Sequence, residues 1–562
     1  MPLPTRLVTM VFAATLMAAG LLRAGETPAN AAPRAPCPPP CAPANPTSDD
    51  LDQPIAVSGG LITGTFADDR GDVRAFKGIP YAAPPVGDLR WKPPATVPDW
   101  EGVRACTAFG ASCPQPPSSL IGDLGEQSED CLFLNVWTPA DRAYDRYPVM
   151  VWIHGGGYAT GTASSDWYDG RHLARQGVVV VSINYRLGPF GFFAHPALSD
   201  ESERGVSGNF GLLDQIAALE WVRDNIGSLG GDPGRVTLFG ESAGSASICT
   251  LMVSPLAQGL FHRAIAQSGG VHEDHRHLAQ ERNGLEPMHD VGRRIAKSLD
   301  CHRADDVVAA LRGIDARRLL TAAKPSLGLF GNGVRYGPVI DGWSVPYDPA
   351  LMWADGKQAR VPLMVGTNAD EGRLFLRWFP AVGMDFYEGA VTKLFGGYAE
   401  RVLGLYSASD DSEVPDRISA LITDTTFVMP ARALAQAMDR IGGTAWMYRF
   451  TRVSPKLRDA GMGATHAAEI PYVFQTLTSD GYDDVDRDLA RTISAMWVRF
   501  AASGDPNGAD DLWPAYDRTT DLHLELGDEM VAAAGLRREE CDLFYQMWVE
   551  RSHLAAGLNE QP

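Results

Sequence analysis

The pentapeptide Gly240-Glu241-Ser242-Ala243-Gly244 stands directly after the run Val236-Thr237-Leu238-Phe239 and just before the apolar run Ala246 to Met252. A serine set between glycines at a strand-to-helix junction is turned outward, because so sharp and strained a backbone admits only glycine-sized neighbours. Such a junction needs strands buried on both faces. The chain supplies them in Val149-Met-Val-Trp-Ile153, Gly177-Val-Val-Val-Val-Ser182 and Arg235-Val-Thr-Leu-Phe239, alternating with helical patterns such as Leu212 to Arg223. These features predict an α/β fold with a large, mostly parallel central sheet flanked by helices on both faces. No repeat of fixed period and no internal linker interrupts the pattern, so residues 55–562 read as one domain.

Charge narrows the partners. The chain of 562 residues carries 69 Asp plus Glu against 49 Lys plus Arg, a formal charge of -20, and such a surface repels phosphate backbones and anionic lipid. Nucleic acid is excluded as a partner on this ground. The 45% hydrophobic and 21% charged composition is that of a globular protein able to bury a large core.

The amino terminus has the form of an export signal. Arg6 precedes an apolar stretch from Leu7 to Leu22, and Ala29-Asn30-Ala31 has the small-x-small form of a cleavage site. Residues 1–31 are therefore expected to be a cleaved signal peptide, which implies a secreted or periplasmic protein with no membrane span in the mature chain. Residues 32–54 begin with a Pro- and Ala-dominated stretch and read as an extended linker. Cys37 and Cys41 lie within it without an assigned role. Asn45 is followed by Pro46, so no N-glycosylation acceptor is formed there.

A nucleophilic serine needs donors where negative charge develops on an attacked carbonyl. Trp152-Ile153-His154-Gly155-Gly156-Gly157-Tyr158 supplies a glycine run after a strand, free to aim backbone N–H groups into a cleft. Gly156, Gly157 and Ala243 are the expected oxyanion donors, and Ser242 the expected nucleophile.

With these motifs in place the sequence resembles the type-B carboxylesterases, the α/β-hydrolase family that includes the cholinesterases and the bacterial para-nitrobenzyl esterases. The resemblance is carried by Phe76-Lys-Gly-Ile-Pro-Tyr-Ala-Ala-Pro-Pro-Val-Gly-Asp-Leu-Arg-Trp91, Ser128-Glu-Asp-Cys-Leu-Phe-Leu-Asn-Val-Trp137, Asn184-Tyr-Arg-Leu-Gly-Pro-Phe-Gly191 and the block Gly208 to Gly270. It implies two further site residues. Val365-Gly-Thr-Asn-Ala-Asp-Glu-Gly372 looks like the family's acid loop and places the acid at Glu371, with Asp370 as its neighbouring competitor. Gly463-Ala-Thr-His-Ala-Ala-Glu-Ile-Pro-Tyr-Val-Phe474 looks like the histidine loop and places the base at His466. The order Ser242, Glu371, His466 is that of an α/β-hydrolase.

The resemblance implies hydrolysis of carboxylic esters through an acyl-enzyme on Ser242, with His466 as general base and acid and no metal or organic cofactor. Glu241 and Ser268 match positions lining the family's site and are read as supporting residues, or as buried polar groups merely satisfied by neighbours. Cys113 and Cys131 match the family's first disulfide, in keeping with export. Cys301 and Cys541 fall where animal members have further bridges, but their expected partner regions contain no cysteine. Cys106 and Cys249 have no assigned partner, and Cys249 reads as a small buried apolar residue.

The loop 114–130 lacks a tryptophan, which argues against the cation–π recognition used for choline esters, and it is too short for a lipase flap. Small or medium esters are therefore expected. His272-Glu-Asp-His-Arg-His277 has ligand-type residues without ordered spacing and reads as a solvated loop rather than a zinc site. Leu320 to Val339, with Phe330 and Tyr336, and Leu374 to Phe379 are expected to shape the substrate pocket or the core. The rival reading is a non-catalytic recognition protein on the same fold. Within the enzyme class, thioesters, carbamates, amides, polyesters and toxin esters share the chemistry. Oligomeric state is left open.

Overall fold

The computed structural model describes residues 50–117, 122–326, 329, 333–377, 379–477 and 480–552. Residues 1–49, with Cys37 and Cys41, lie outside them, as do Phe330 and Trp378. The main sheet has eleven strands: β1 (Thr65–Phe66), β2 (Arg74–Pro80), β3 (Phe133–Thr138), β4 (Tyr147–Ile153), β5 (Val179–Ile183), β6 (Gly231–Glu241), β7 (Arg263–Gln267), β8 (Leu363–Asn368), β9 (Ala445–Phe450), β10 (Leu522–Leu526) and β11 (Met530–Ala534). They lie in the order β11-β10-β9-β8-β7-β6-β4-β5-β3-β2-β1.

From β5 across β4 to β10 every pairing is parallel, while β10–β11 and the pairs linking β5, β3, β2 and β1 are antiparallel. The sheet is thus mixed at its edges, a feature that continuous apolar runs do not reveal. A small sheet of Ile55–Val57, Gly60–Thr63 and Val103–Ala105 stands beside it.

Period-two alternation divides the core between the two faces of the sheet. Val149, Val151 and Ile153 of β4 pack with Val179, Val181 and Ile183 of β5 on one face. Met150 and Trp152 turn to the other face, where Val180, Phe239, Ile265 and Met364 join them. Helix Phe210–Asn225 is buried on nearly all sides, which explains why its sequence carries so little polar patterning. Helix Ala243–Leu251 starts directly after β6 and is wholly buried.

The chain reverses its direction of travel across the sheet at β4, with β5 on one side and β6 on the other. In open α/β sheets a crevice forms at such a switch, beyond the carboxyl ends of the strands. The glycine run follows β4 and Ser242 follows β6, so both open onto that crevice.

Candidate active site

Ser242 adopts φ 55°, ψ −120°, a strained conformation for a residue with a side chain. Its N–H donates to Gln267 O at 2.9 Å, which ties the turn to the end of β7. The flanking glycines have steric causes. A Cβ on Gly240 would lie 2.5 Å from Ile153 O, and one on Gly244 would lie 1.9 Å from the same oxygen. The two glycines let the turn press against the end of β4, and Ser242 is left half-buried on the wall of a cavity of about 1360 Å³.

The glycine run forms the facing wall. Gly156 and Gly157 have φ of 103° and 61°, and a Cβ on Gly156 would meet Thr160 O at 2.0 Å. Neither glycine N–H donates a hydrogen bond within the described residues, and Ala243 opens its helix, so its N–H has no intrahelical acceptor. All three residues line the cavity. His154 is buried and kept neutral, its pKa lowered to about 4 by desolvation, and its Nδ1 donates to Gly155 O at 2.8 Å. It pins the start of the glycine turn, a part the sequence did not announce.

His466 Nδ1 lies 2.6 Å from Glu371 Oε2, and Glu371 is wholly buried. Glu371 Oε1 in turn accepts the Asn368 N–H at 2.7 Å, so both carboxylate oxygens are engaged. Asp370 faces elsewhere: its Oδ2 accepts from Ala464 N at 2.9 Å. Gly372 is required because a Cβ there would lie 2.3 Å from Ser419 O. On the other side of the imidazole, Glu241 Oε1 is 3.0 Å from Nε2, within ion-pair distance but outside hydrogen-bond alignment. Ser242 Oγ makes no hydrogen bond among the described residues; such bonds commonly tighten only when substrate is bound. Burial opposes the charged imidazole, yet the flanking Glu241 and Glu371 outweigh it and hold His466 well above the ordinary histidine range.

Two aromatic rings pack on this imidazole. Phe427 and Phe375 have centroids 4.9 and 5.1 Å from it. Phe427 belongs to a π-helical turn, Thr423–Val428. Pro430 follows two residues after that turn, where its missing N–H and its ring are incompatible with a regular bond to Thr426 O, and the chain takes a wider turn instead. Thr423 Oγ1 accepts the Gly372 N–H at 3.1 Å, joining the π turn to the acid loop.

Glu469, within the quoted histidine motif but unassigned there, completes a buried network. It accepts from Gln267 Nε2 at 3.0 Å and from Asn368 Nδ2 at 2.6 Å. Desolvation, with Glu241 and Glu371 nearby, raises its pKa to about 7. Ser268 is fully buried with φ 50°, lines the cavity, and leaves its Oγ without a hydrogen-bond partner.

The structure joins Cys113 to Cys131 in a disulfide, and Cys106, Cys249, Cys301 and Cys541 are buried free thiols. The expectation of a solvated loop at His272–His277 is corrected. His272 and His275 are each only 8% exposed, and His272 packs on Trp548 and has its pKa lowered to about 4 by desolvation. The segment is tied down at its end by a single β-bridge between His277 and Ile340, and His272 to Arg276 line one cavity wall. Among the described residues no group of three or more ligand-type side chains is placed to hold a metal. Tyr336 is buried and lines the cavity, as do Leu374 and Phe375.

The comparisons agree with this architecture. The chain matches the model of the Carboxylesterase family over residues 52–544. It is 39% identical over 482 residues to the fumonisin B1 esterase of Sphingopyxis macrogoltabida, covering 83% of this chain and 85% of that protein. It is 39% identical over 495 residues to the para-nitrobenzyl esterase of Bacillus subtilis (strain 168), covering 85% and 95%. A solved PNB esterase structure superposes with a TM-score of 0.75 at 36% identity, covering 87% of this chain and 99% of that one. With its family pattern running almost end to end on an α/β-hydrolase fold, the chain belongs to the carboxylesterase family and is a carboxylic ester hydrolase.

Proposed function

We propose that this carboxylesterase works through an acyl-enzyme on Ser242, with His466 as general base and acid and Glu371 as the group that orients and stabilises the imidazolium. The observation that carries the reading is the 2.6 Å contact between His466 Nδ1 and Glu371 Oε2, on the wall of the cavity into which the strained Ser242 also projects. As Ser242 Oγ bonds to the ester carbonyl carbon, His466 Nε2 takes the hydroxyl proton. Gly156, Gly157 and Ala243 donate N–H groups to the oxyanion, each such donor contributing about 10² to 10³ in rate. The tetrahedral intermediate collapses, and the alcohol leaves with the proton from Nε2. Water, deprotonated by the same nitrogen, then releases the acid.

Glu241 and Ser268 serve as supporting groups, Glu241 by facing Nε2 at 3.0 Å. The substrate is a small or medium carboxylic ester. Relatives named for fumonisin B1 and para-nitrobenzyl esters support this breadth. Residues 1–31 act as a cleaved export signal and 32–54 as a linker to the catalytic domain of residues 55–562, which places the protein outside the cytoplasm. Among the described residues no helix is long and apolar enough to cross a membrane.

The test is release of para-nitrophenol from para-nitrophenyl acetate and butyrate by the mature protein beside folded Ser242→Ala. Loss of several orders of magnitude in the variant supports the reading. Equal, feeble activity in both overturns it and favours a recognition role for the fold.

A further inference from the structure

The cavity wall carries a charge pattern opposite to that of the whole chain. Its mouth holds three carboxylates, Glu273, Asp274 and Glu286, and each already has an arginine: Arg335 at 2.7 Å, Arg551 at 3.6 Å and Arg294 at 2.8 Å. Arg276 enters the same wall with no carboxylate within ion-pair distance among the described residues. Its guanidinium makes one hydrogen bond there, from Nη1 to Glu286 O at 2.7 Å. The side chain is half-buried. Burial disfavours its charge, Glu286 offsets part of that, and the nearby Arg294 and Arg335 add to the cost. A partly desolvated guanidinium without a counter-ion is expensive to keep, and its planar fork is suited to receive a carboxylate through two N–H groups.

The cavity also has room for more than the reacting group. At about 1360 Å³ it exceeds the 300–1,000 Å³ usual for small-ligand sites, and Ser242, His466 and Arg276 all line it. We propose that Arg276 is a specificity residue that receives a carboxylate borne by the ester at a distance from the scissile bond, so that the favoured substrates are anionic esters of di- or polycarboxylic acids or of hydroxy acids. This inference rests on the esterase reading given above and adds the charge of the substrate. Arg335 and Arg294 reinforce the positive field there while remaining paired to their own glutamates.

Two series of esters test it. One compares mono-para-nitrophenyl esters of α,ω-dicarboxylic acids with para-nitrophenyl alkanoates of the same length. The other compares butyryl esters of ω-hydroxy acids with those of plain alkanols. In at least one series the anionic ester should surpass its neutral match in kcat/KM from some chain length onward, through KM, and added salt should erode the advantage. Arg276→Gln keeps a donor for Glu286 O but loses the charge. It should remove the advantage by about tenfold while neutral esters stay within about twofold, and Arg276→Lys should retain part of it.

Preference for the neutral ester at every length in both series overturns the proposal, as does an equal loss on both classes in Arg276→Gln. Failure of the underlying esterase reading looks different: neutral esters would then show no Ser242-dependent turnover in the parent at all.

Discussion

Asp370 and Ala464 are bonded to each other twice, Asp370 N donating to Ala464 O and Ala464 N donating to Asp370 Oδ2, each at 2.9 Å. The pair fastens the acid loop to the histidine loop next to the contact between Glu371 and His466. Neighbouring carboxylates therefore have different duties, one toward backbone and one toward the imidazole. Glu371→Gln is expected to lower kcat by about 10² to 10⁴ with the fold intact, since the tautomer and the imidazolium lose their support. Asp370→Ala should lose about tenfold in kcat and about 1–2 kcal/mol of stability by loosening the two loops. Steady-state kinetics and denaturant unfolding separate the two outcomes.

The pH profile should carry the mark of Glu241. Because Glu241 and Glu371 hold His466 above the ordinary range, the acid limb of kcat/KM should lie above that of an unperturbed histidine. Glu241→Gln should move the limb down toward that of an unperturbed histidine. Stability follows the same linkage. A histidine with a raised folded-state pKa contributes stability that is fully present below the unfolded value of about 6.5 and lost as pH rises through the folded one. The thermal midpoint of Glu241→Gln should therefore fall furthest below the parent's at the low end of that range.

Glu469 should act in the same sense over a lower pH interval. Its pKa is raised from 4.5 to about 7, so the native state holds a proton that the unfolded chain has released, and stability should decline as pH rises across that interval. Glu469→Gln is expected to flatten this decline, with a shift of a few degrees in the difference between melting points at pH 5 and pH 8. An unchanged slope would show that the carboxyl is ionised throughout.

Among the glycines, position decides tolerance. Gly244→Ala drives a methyl to 1.9 Å from Ile153 O and should cost about 3 kcal/mol or more, displacing Ser242 as well. Gly157 has no atom within 4 Å of a built Cβ, so Gly157→Ala meets only its positive φ and should cost about 1 kcal/mol. Urea unfolding of the two variants checks the contrast.

The strands and the serine turn were legible because their signals are local: apolar runs, and glycines whose neighbours in the chain identify the junction. Leu212 to Arg223 was readable as helix for the same reason, and it extends by two residues at each end. Partners across the chain are another matter. Nothing in the residues themselves picks His466 from 12 histidines or Glu371 from 69 acids, and only family likeness pointed to them. Glu469 stood in a quoted motif, three residues past His466, but its burial depends on Gln267 and Asn368 in other strands. The antiparallel sheet edges, the packing of Phe427 and the inward turn of His272 are likewise set by tertiary contacts. Arg276 was hidden because a missing counter-ion is a property of space, not of sequence.

The contacts around His466 also say when the enzyme can become active during folding. Glu371 and His466 are 95 residues apart in the chain, and Glu469 meets Asn368 and Gln267 across 101 and 202 residues. Each of these contacts closes a long loop, whose entropy is lost before the contact repays it. Helices and local turns form without them. Ester turnover during refolding should thus lag behind the recovery of helical circular dichroism, making catalysis a late reporter of the whole sheet rather than of any one segment.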